Sequence, residues 1–239
     1  MSALRMDHKQ EVDAYWNKVC ANLNFMFAYS NLREFADLAT KYSQYKPSER
    51  SYGYGYVDEN GNREGYWIEW NNDGSKSWEG FWSGDHKEGR WVRYDDDQNI
   101  DCEQFWSKGN YHGINTDWYP ESKVKSEQIE WTHGSMNGKY TRWYSNGKMR
   151  EEGYYVNDEK DNEWKQYYPN GFLKSVTQMN LGARHGSYIM YYDCPGQIKQ
   201  FECVYVDGNR VSKKTYELKV DAKKSNMWNI IKNATRFLQ

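Results

Sequence analysis

The chain is poor in the residues that usually build an aliphatic core or a cross-linked scaffold. Its 239 residues include only four prolines and four cysteines, and leucine, isoleucine and valine are scarce. The cysteines form no Cys-x-x-Cys pair and have no regular spacing, which argues against a disulfide framework and a zinc site; they are Cys20, Cys102, Cys194 and Cys203. A polar chain with so little aliphatic surface is typical of disorder, because it buries too little apolar area to offset chain entropy.

Long apolar segments are also missing. The N-terminal residues lack the hydrophobic stretch of a signal peptide, and no segment approaches the run of about 20 apolar residues that spans a bilayer. We therefore expect a soluble protein of the cytoplasm or another reducing compartment, the interior of a viral particle included, that is not secreted. Because the formal net charge is only −2, bulk electrostatics predict no nucleic-acid partner.

Charge is nevertheless distributed unevenly along the sequence. Residues 55–112 contain 13 acidic and 6 basic side chains, a balance of −7, whereas residues 219–239 contain 5 basic and 1 acidic, a balance of +4. Such an asymmetry is usual for a solvated surface, and it is also a means of steering a partner.

What the chain does contain is aromatic side chains. They make up 18% of the residues, with 12 tryptophans and 22 tyrosines. Both types bury a large area and favour strands, so the composition predicts a folded, β-rich protein with a thin core rather than a disordered one.

An internal repeat organises these aromatics. Its anchor, the residue after the second turn of each unit, recurs at intervals of 24, 24, 25, 24 and 24 residues, at Gly65, Gly89, Gly113, Gly138, Asn162 and Gly186. An aromatic residue lies two positions after the anchor in most units, at Trp67, Trp91, Tyr140, Trp164 and Tyr188. Another lies five positions after it in every unit, at Trp70, Tyr94, Trp118, Trp143, Tyr167 and Tyr191.

Each repeat reads as a β-hairpin. Two runs of about eight residues flank Asp73-Gly74, Asn146-Gly147 or Asn170-Gly171, dipeptides that tolerate the positive φ angles of a type I′ turn. The connections between strands are too short to contain crossover helices, so neighbouring strands must be antiparallel. A single hairpin is only marginally stable, so the hairpins must stack.

The sequence predicts a mainly β fold: an elongated single-layer antiparallel meander of about 12 to 14 strands, with short helical caps at both termini. Because side chains alternate along a strand, the aromatics at anchor+2 and anchor+5 should lie on opposite faces unless a bulge intervenes.

The repeats resemble a known family. Residues 138–155, with their G-x-Y-x-x-W-Y-x-N-G pattern, are similar to the 24-residue variant of the MORN repeat, which also occurs in YwqK-type antitoxins. The resemblance covers about two thirds of the chain and implies an extended sheet of hairpins that serves as a scaffold for protein contacts, and in some proposals for lipid contacts. Two units depart from the pattern. The third has Asn115 in place of an aromatic and no Asn-Gly turn, and the fifth has Val176-Thr177-Gln178 in place of Glu-Gly-Tyr.

The sequence divides into three regions. Residues 1–50 form a helical cap or docking segment, 51–218 the repeat array, and 219–239 a basic amphipathic helix. Within 7–44 the pattern predicts two helices, the first with a capping box at Asp7 and an apolar stripe that includes Val12 and Trp16. Tyr45 to Arg50, with Pro47, is predicted as a linker. The terminal helices either cap exposed end strands or dock a partner.

No pattern of catalytic chemistry is present. The chain lacks a nucleophile elbow, a P-loop and a dinucleotide fingerprint, and His86, His112, His133 and His185 are predicted to lie in turns along one rim, with His86 and His112 in neighbouring units. We expect no enzyme, cofactor or metal site.

The predicted function is a scaffold that binds another protein along an aromatic ladder. One candidate ladder is Trp67, Trp91, Tyr140 and Trp164; the other is Trp70, Tyr94, Trp118, Trp143, Tyr167 and Tyr191. The scaffold would be a structural part of an assembly or an antitoxin-like neutraliser, and self-association through end strands or terminal helices is a further expectation. The alternative is a peripheral module that binds phospholipid or glycan, for which the basic C-terminal segment is the lipid-compatible element.

Overall fold

A computed structural model of the protein describes residues 7–18, 46–50 and 52–216. The chain divides into two compact units, 1–159 and 160–239. Residues 7–18 form a helix, α1, and almost all other regular structure is β-strand.

The strands of the first unit follow one another at short intervals. They are β1 (Lys46–Arg50), β2 (Gly53–Val57), β3 (Arg63–Trp70), β4 (Lys76–Ser83), β5 (His86–Tyr94), β6 (Ile100–Ser107), β7 (Asn110–Tyr111), β8 (Gly113–Trp118), β9 (Lys125–Thr132), β10 (Ser135–Trp143) and β11 (Met149–Val156). Each pairs antiparallel with the next, except that the two-residue β7 and the following β8 both pair with β6.

The second unit continues the same pattern. Its strands are β12 (Glu159–Tyr167), which begins at the unit boundary, β13 (Leu173–Asn180), β14 (Ala183–Tyr191), β15 (Lys199–Val206) and β16 (Asn209–Thr215). Successive strands are again antiparallel. The mainly β, antiparallel meander predicted from the repeat is therefore confirmed.

The strands outnumber the 12 to 14 expected. The sheet has 16, partly because β1 and β2 precede the first repeat and partly because one strand is interrupted to give β7 and β8. The segment predicted as a linker contains β1, paired with β2 from Lys46 opposite Val57 to Arg50 opposite Gly53. Pro47 is compatible with this assignment because β1 stands at the end of the described strand order, where one edge needs no donor.

The two turns of each repeat have different geometries, and the prediction for the Asn-Gly turns is wrong. Gly74 has φ +92° but the preceding Asp73 is not at positive φ, so this is not a type I′ turn. Instead the Gly74 N–H donates to the carbonyl of Asn71, whose own N–H donates to Ser75, which describes a three-residue loop with glycine at its left-handed position. The turns at Gly147 and Gly171 repeat these two hydrogen bonds.

The type I′ turns lie at the other end of the strands. There both central residues have positive φ, as in Gly84-Asp85 (58° and 63°) and Lys108-Gly109 (49° and 77°). The same signature recurs at His133-Gly134, Asn157-Asp158, Leu181-Gly182 and Asp207-Gly208.

The anchor residue is a bulge within a strand rather than the end of a turn. All six anchors have positive φ, from 58° at Asn162 to 134° at Gly138, and the pairing register shifts beside them, for example between Met136 and Tyr140. Asn162 is the one non-glycine among them because asparagine tolerates the left-handed region. The 24-residue repeat in the sequence therefore corresponds to one β-bulge in each repeat.

Hydrogen bonds between successive repeats hold both rims of the sheet. On the rim of type I′ turns, the Asp85 N–H donates to the Arg63 carbonyl and the Gly109 N–H to the Lys87 carbonyl. On the other rim, tyrosine hydroxyls donate to backbone carbonyls 23 or 24 residues further on, from Tyr119 to Trp143 (2.8 Å), Tyr168 to Tyr191 (3.0 Å) and Tyr192 to Tyr216 (3.1 Å).

Helix α1 confirms the first predicted helix over residues 7–18. It packs on the face of β2–β4, where Val12 and Trp16 are buried. The second predicted helix and the C-terminal helix at 219–239 lie outside the described residues.

Candidate interaction surface

Strand register defines the two faces of the first unit. Directly paired residues have side chains on the same side of a sheet, and one such row runs through Tyr54, Ile68, Glu79, Val92, Glu103, Thr116, Gln128, Thr141 and Glu152. Tyr54 and Ile68 pack with Val12 and Trp16 of α1. We call this side the helix face and the opposite side the tryptophan face.

The two aromatic ladders lie on opposite faces, as the alternation predicted. Trp67 belongs to a buried cluster with Trp82 and Trp91 on the tryptophan face, and Trp70 belongs to the cluster under α1. Trp118 and Trp143 stand two residues beyond Thr116 and Thr141 on their strands, which places them on the helix face with Trp70.

The anchor+2 ladder is buried within the sheet. Trp67 and Trp91 have no exposed surface, and Tyr140 and Trp164 are also buried. Each indole of the first two lies across a glycine of the preceding strand, since a Cβ on Gly55 or Gly80 would fall 2.2–2.3 Å from the ring.

These indoles also hydrogen-bond to the strand that they cover. Trp67 Nε1 donates to the Tyr56 carbonyl (3.0 Å) and Trp91 Nε1 to the Phe81 carbonyl (2.8 Å). Trp67 and Trp91 therefore have no surface to offer a partner, and Tyr140 and Trp164 have little, since they are 7% and 3% exposed.

Basic side chains cover aromatic rings in a periodic manner that sequence reasoning missed. The residue two positions before the anchor is Arg63, Lys87, Lys160 or Arg184 in four of the six repeats. Their cationic groups lie 3.3 Å from the Trp82 ring centre, 4.1 Å from Trp91, 3.7 Å from Trp164 and 5.1 Å from Tyr188, respectively. Such contacts are worth about 0.5–2 kcal/mol each, and the 24-residue recurrence of a base was the signal that could have found them.

Lys87 has the fullest enclosure of these cations. Its Nζ lies 4.1–5.0 Å from the ring centres of Trp78, Trp91 and Trp106. Burial lowers the pKa of Lys87, an effect that nearby Glu69 opposes. Because Lys87 occupies the space between these three rings, a ligand could not stack on them there.

In the third repeat, Tyr111 replaces the base and stacks instead. Its ring centre is 4.1 Å from Trp106 and 4.9 Å from Trp131. The rings of both pairs are tilted, by 38° and 41°, and cover part of each other's surface, so much of the tryptophan face is packed within the chain.

The helix face differs because a helix already binds to it. Asp13 of α1 accepts hydrogen bonds from the hydroxyls of Tyr54 (2.9 Å) and Tyr56 (3.0 Å). Trp16 packs against Tyr56 with ring centres 4.9 Å apart, and Tyr15 packs against Phe81 at 5.5 Å. An amphipathic helix is thus held by aromatic contacts and by tyrosine hydroxyls.

A charged network closes the side of this contact. Lys76 forms ion pairs with Glu11 of α1 (2.8 Å) and with Glu79 (3.0 Å), and Glu79 accepts hydrogen bonds from Tyr66 (2.8 Å) and Tyr94 (2.7 Å). Burial alone would raise the pKa of Glu79, but the hydrogen bonds from Tyr94, Lys76 and Tyr66 outweigh it and hold the pKa below its ordinary value.

Beyond α1 the same face carries exposed apolar groups. On β8–β11, Ile114 and Tyr154 are each 50% exposed, and Trp118 and Trp143 are half-buried. Trp143 and Ile114 line a shallow cavity of about 150 Å³ together with Thr141. The sequence predicted Trp118 and Trp143 as contact residues but missed Ile114, which occupies no recurrent aromatic position, and Tyr154, which stands two residues after Glu152 as Phe81 does after Glu79.

In the second unit, the two residues of the anchor+5 ladder differ in exposure. Tyr167 is half-buried and Tyr191 is buried. Exposed aliphatic groups lie instead on β15 and β16, where Val204, Val206 and Val211 are 43–60% exposed.

The residues with reactive side chains do not converge. Among the described residues, no three His, Cys, Asp or Glu groups are placed to hold a metal ion. The ring of His112 lies 5.0 Å from that of His133, whereas the sequence had paired His112 with His86 as neighbouring units. Cys102, Cys194 and Cys203 are free and buried, and burial raises the pKa of Cys102 to about 12. No helix in the described part of the chain is long and apolar enough to cross a membrane.

Comparisons with known proteins give little. No protein-family model matches the chain, and no curated protein matches it. Among solved structures, the chain is similar to one described as the crystal structure of a GtfA/B complex bound to UDP and GlcNAc, at 8% identity and a TM-score of 0.21 over 56% of this chain. The chain spans 24% of that protein's length, and a score this low carries no argument about fold or function.

Proposed function

We propose that the protein is a non-enzymatic scaffold of MORN-type repeats that binds an amphipathic helix of a partner protein on its helix face. The observation that carries the proposal is the contact of α1, in which the chain's own helix docks on this face through Val12 and Trp16. The partner would cover the exposed apolar side chains over β8–β11 in the same way.

The chemistry of that stretch supports a helical partner. Ile114, Trp143 and Tyr154 offer apolar contacts at strand spacing, and hydrophobic side chains four residues apart on a helix, such as Val12 and Trp16, match such a surface. The tryptophan face is the weaker candidate because its rings are covered by Arg63, Lys87 and one another.

The test is capture from the native host by the tagged protein, followed by binding of a synthetic peptide that spans the captured segment. Ile114→Asp combined with Tyr154→Ala should weaken peptide binding at least tenfold, since it places a charge and removes a ring on an exposed surface. Val211→Asp, also on an exposed residue, is the matched control and should leave binding unchanged. Circular dichroism establishes that all variants remain folded.

Three results would contradict the proposal. Equal peptide binding by the wild type and the double variant would place the contact elsewhere. Sedimentation with phospholipid vesicles or retention on glycan, without a protein partner, would favour the membrane or glycan alternative. Photocrosslinks from position 114 to residues 219–239 of the same molecule would show that the chain covers this surface itself.

A further inference from the structure

A cavity of about 270 Å³ lies between α1 and the rim of type I′ turns. Four aromatic side chains contribute to its wall, from Tyr15, Trp16, Phe81 and Trp82. Its volume is near the lower end of small-molecule pockets, about 300 Å³, so it suits a ligand of few atoms.

Two carboxylates line the cavity, and no base does among the residues described there. Glu64 is only 9% exposed; its Oε1 accepts a hydrogen bond from the Gly84 N–H at 2.8 Å. Glu88 accepts one from the Lys108 N–H at 2.7 Å. Neither carboxylate forms an ion pair with a described residue, and the neighbouring Arg63 is engaged by Asp85 at 2.6 Å.

A buried charge without a counter-charge is costly, and proteins usually pair it. The wall also contains an unsatisfied donor, because Trp82 is 8% exposed and its Nε1 has no hydrogen-bond partner among the described residues. An indole N–H needs an acceptor, which a hydroxyl oxygen on the ligand supplies. Aromatic walls together with carboxylates are the surroundings that stabilise an organic cation.

We propose that this cavity binds a small organic ammonium ion, with Glu64 and Glu88 as counter-charges and the aromatic rings as its apolar wall. The site is separate from the surface over β8–β11, so the proposal does not depend on the partner-binding function. Gly65 helps to form the cavity because a Cβ there would fall 2.2 Å from the Trp16 ring.

The first experiment compares choline with 3,3-dimethylbutan-1-ol, its neutral isostere, by calorimetry and tryptophan fluorescence at matched ionic strength. Choline should bind with a Kd of about 1 mM, and the isostere at least tenfold more weakly. This comparison needs no substitution and therefore does not depend on the folding of any variant. Equal binding of the two compounds, or no binding of choline up to roughly 100 mM, would overturn the proposal.

The second experiment locates the site. Glu64→Gln keeps an oxygen for the Gly84 N–H but removes the charge, so choline affinity should fall at least tenfold while binding of the isostere is unchanged. Glu88→Gln should reduce choline affinity less, by about threefold, because Glu88 is the more exposed carboxylate. Glu121→Gln, in an exposed turn, is the control and should have no effect. Unchanged choline binding in Glu64→Gln would overturn the assignment.

Discussion

Strands β4 and β6 end in similar sequences, yet they pack differently. Residues 78–83 read W-E-G-F-W-S and residues 102–107 read C-E-Q-F-W-S. Opposite Gly80 the next strand supplies Trp91, whose ring lies on the glycine. At the equivalent place beside Gln104 the next strand supplies Asn115, whose Oδ1 accepts a hydrogen bond from the Phe105 N–H at 2.8 Å.

The difference indicates that the tryptophan at anchor+2 requires a glycine opposite it on the preceding strand. Gln104 has a Cβ where the indole would lie, so the third repeat cannot hold an indole against the backbone in that place. The backbone polar groups of the preceding strand still need hydrogen-bond partners beside the bulge. On β4 the Phe81 carbonyl accepts a hydrogen bond from Trp91 Nε1. On β6 the Phe105 N–H instead donates to Asn115 Oδ1. In the third repeat both members of the pair are therefore replaced, by Gln104 and Asn115.

The largest effect should come from removing the ring. Trp91→Ala deletes a side chain with no exposed surface and should lower the free energy of unfolding by about 3–5 kcal/mol. Asn115→Ala, at the equivalent position, loses one hydrogen bond and should cost about 1 kcal/mol. Urea unfolding followed by circular dichroism measures both, and similar losses would remove the distinction between the two strands.

A methyl group on the glycine should have the next largest effect. In Gly80→Ala the new Cβ would fall 2.3 Å from Trp91, so the ring must move and leave the Phe81 carbonyl. We expect a loss of about 1–3 kcal/mol, against less than about 1 kcal/mol for Gln104→Ala. The comparison fails if thermal melts show the two variants equally stable.

The sequence predicted the repeat period, the antiparallel strands and the opposite faces of the two ladders, because all three follow from local rules of alternation and spacing. It assigned the type I′ geometry to the wrong turn. Asn-Gly fits both a type I′ turn and the left-handed position of a three-residue loop, and only the strand register around Gly147 distinguishes them.

The burial of the first ladder and the place of α1 depend on contacts between distant segments. Trp67 and Trp70 have the same residue type and the same period, but Trp67 lies on Gly55 and Trp70 belongs to the cluster under α1. The sequence also missed the exposure of Ile114 and Tyr154. Whether the surface over β8–β11 binds a partner remains a prediction.

Introducing glycine at position 104 and tryptophan at position 115 of the third repeat tests whether the two residues are energetically coupled. Asn115→Trp alone should destabilise by about 1–3 kcal/mol because the ring meets Gln104, and Gln104→Gly alone should cost about 0.5–1 kcal/mol. The double variant should be more stable than the sum of the two losses by about 1–2 kcal/mol. An additive double-mutant cycle would mean that residues 104 and 115 vary independently.

The smallest effect concerns the glutamates that β4 and β6 share. Glu79 accepts hydrogen bonds from Tyr66 and Tyr94, whereas Glu103 pairs with Arg90 at a site where Arg90 is half exposed. Because the pKa of Glu79 is lowered in the folded protein, its contribution to stability is complete above the ordinary carboxyl pKa of 4.5 and is lost as the pH falls through the folded value.

Glu79→Gln should therefore cost about 1 kcal/mol at pH 7 and progressively less as the pH is lowered below about 4.5. Glu103→Gln should change stability by less than about 0.5 kcal/mol at either pH, because an exposed ion pair contributes little. Urea unfolding at pH 7 and pH 3 measures the difference. A pH-independent cost for Glu79→Gln would show that the tyrosine hydroxyls bind the neutral side chain as well as the carboxylate, and that the two strands hold their glutamates alike.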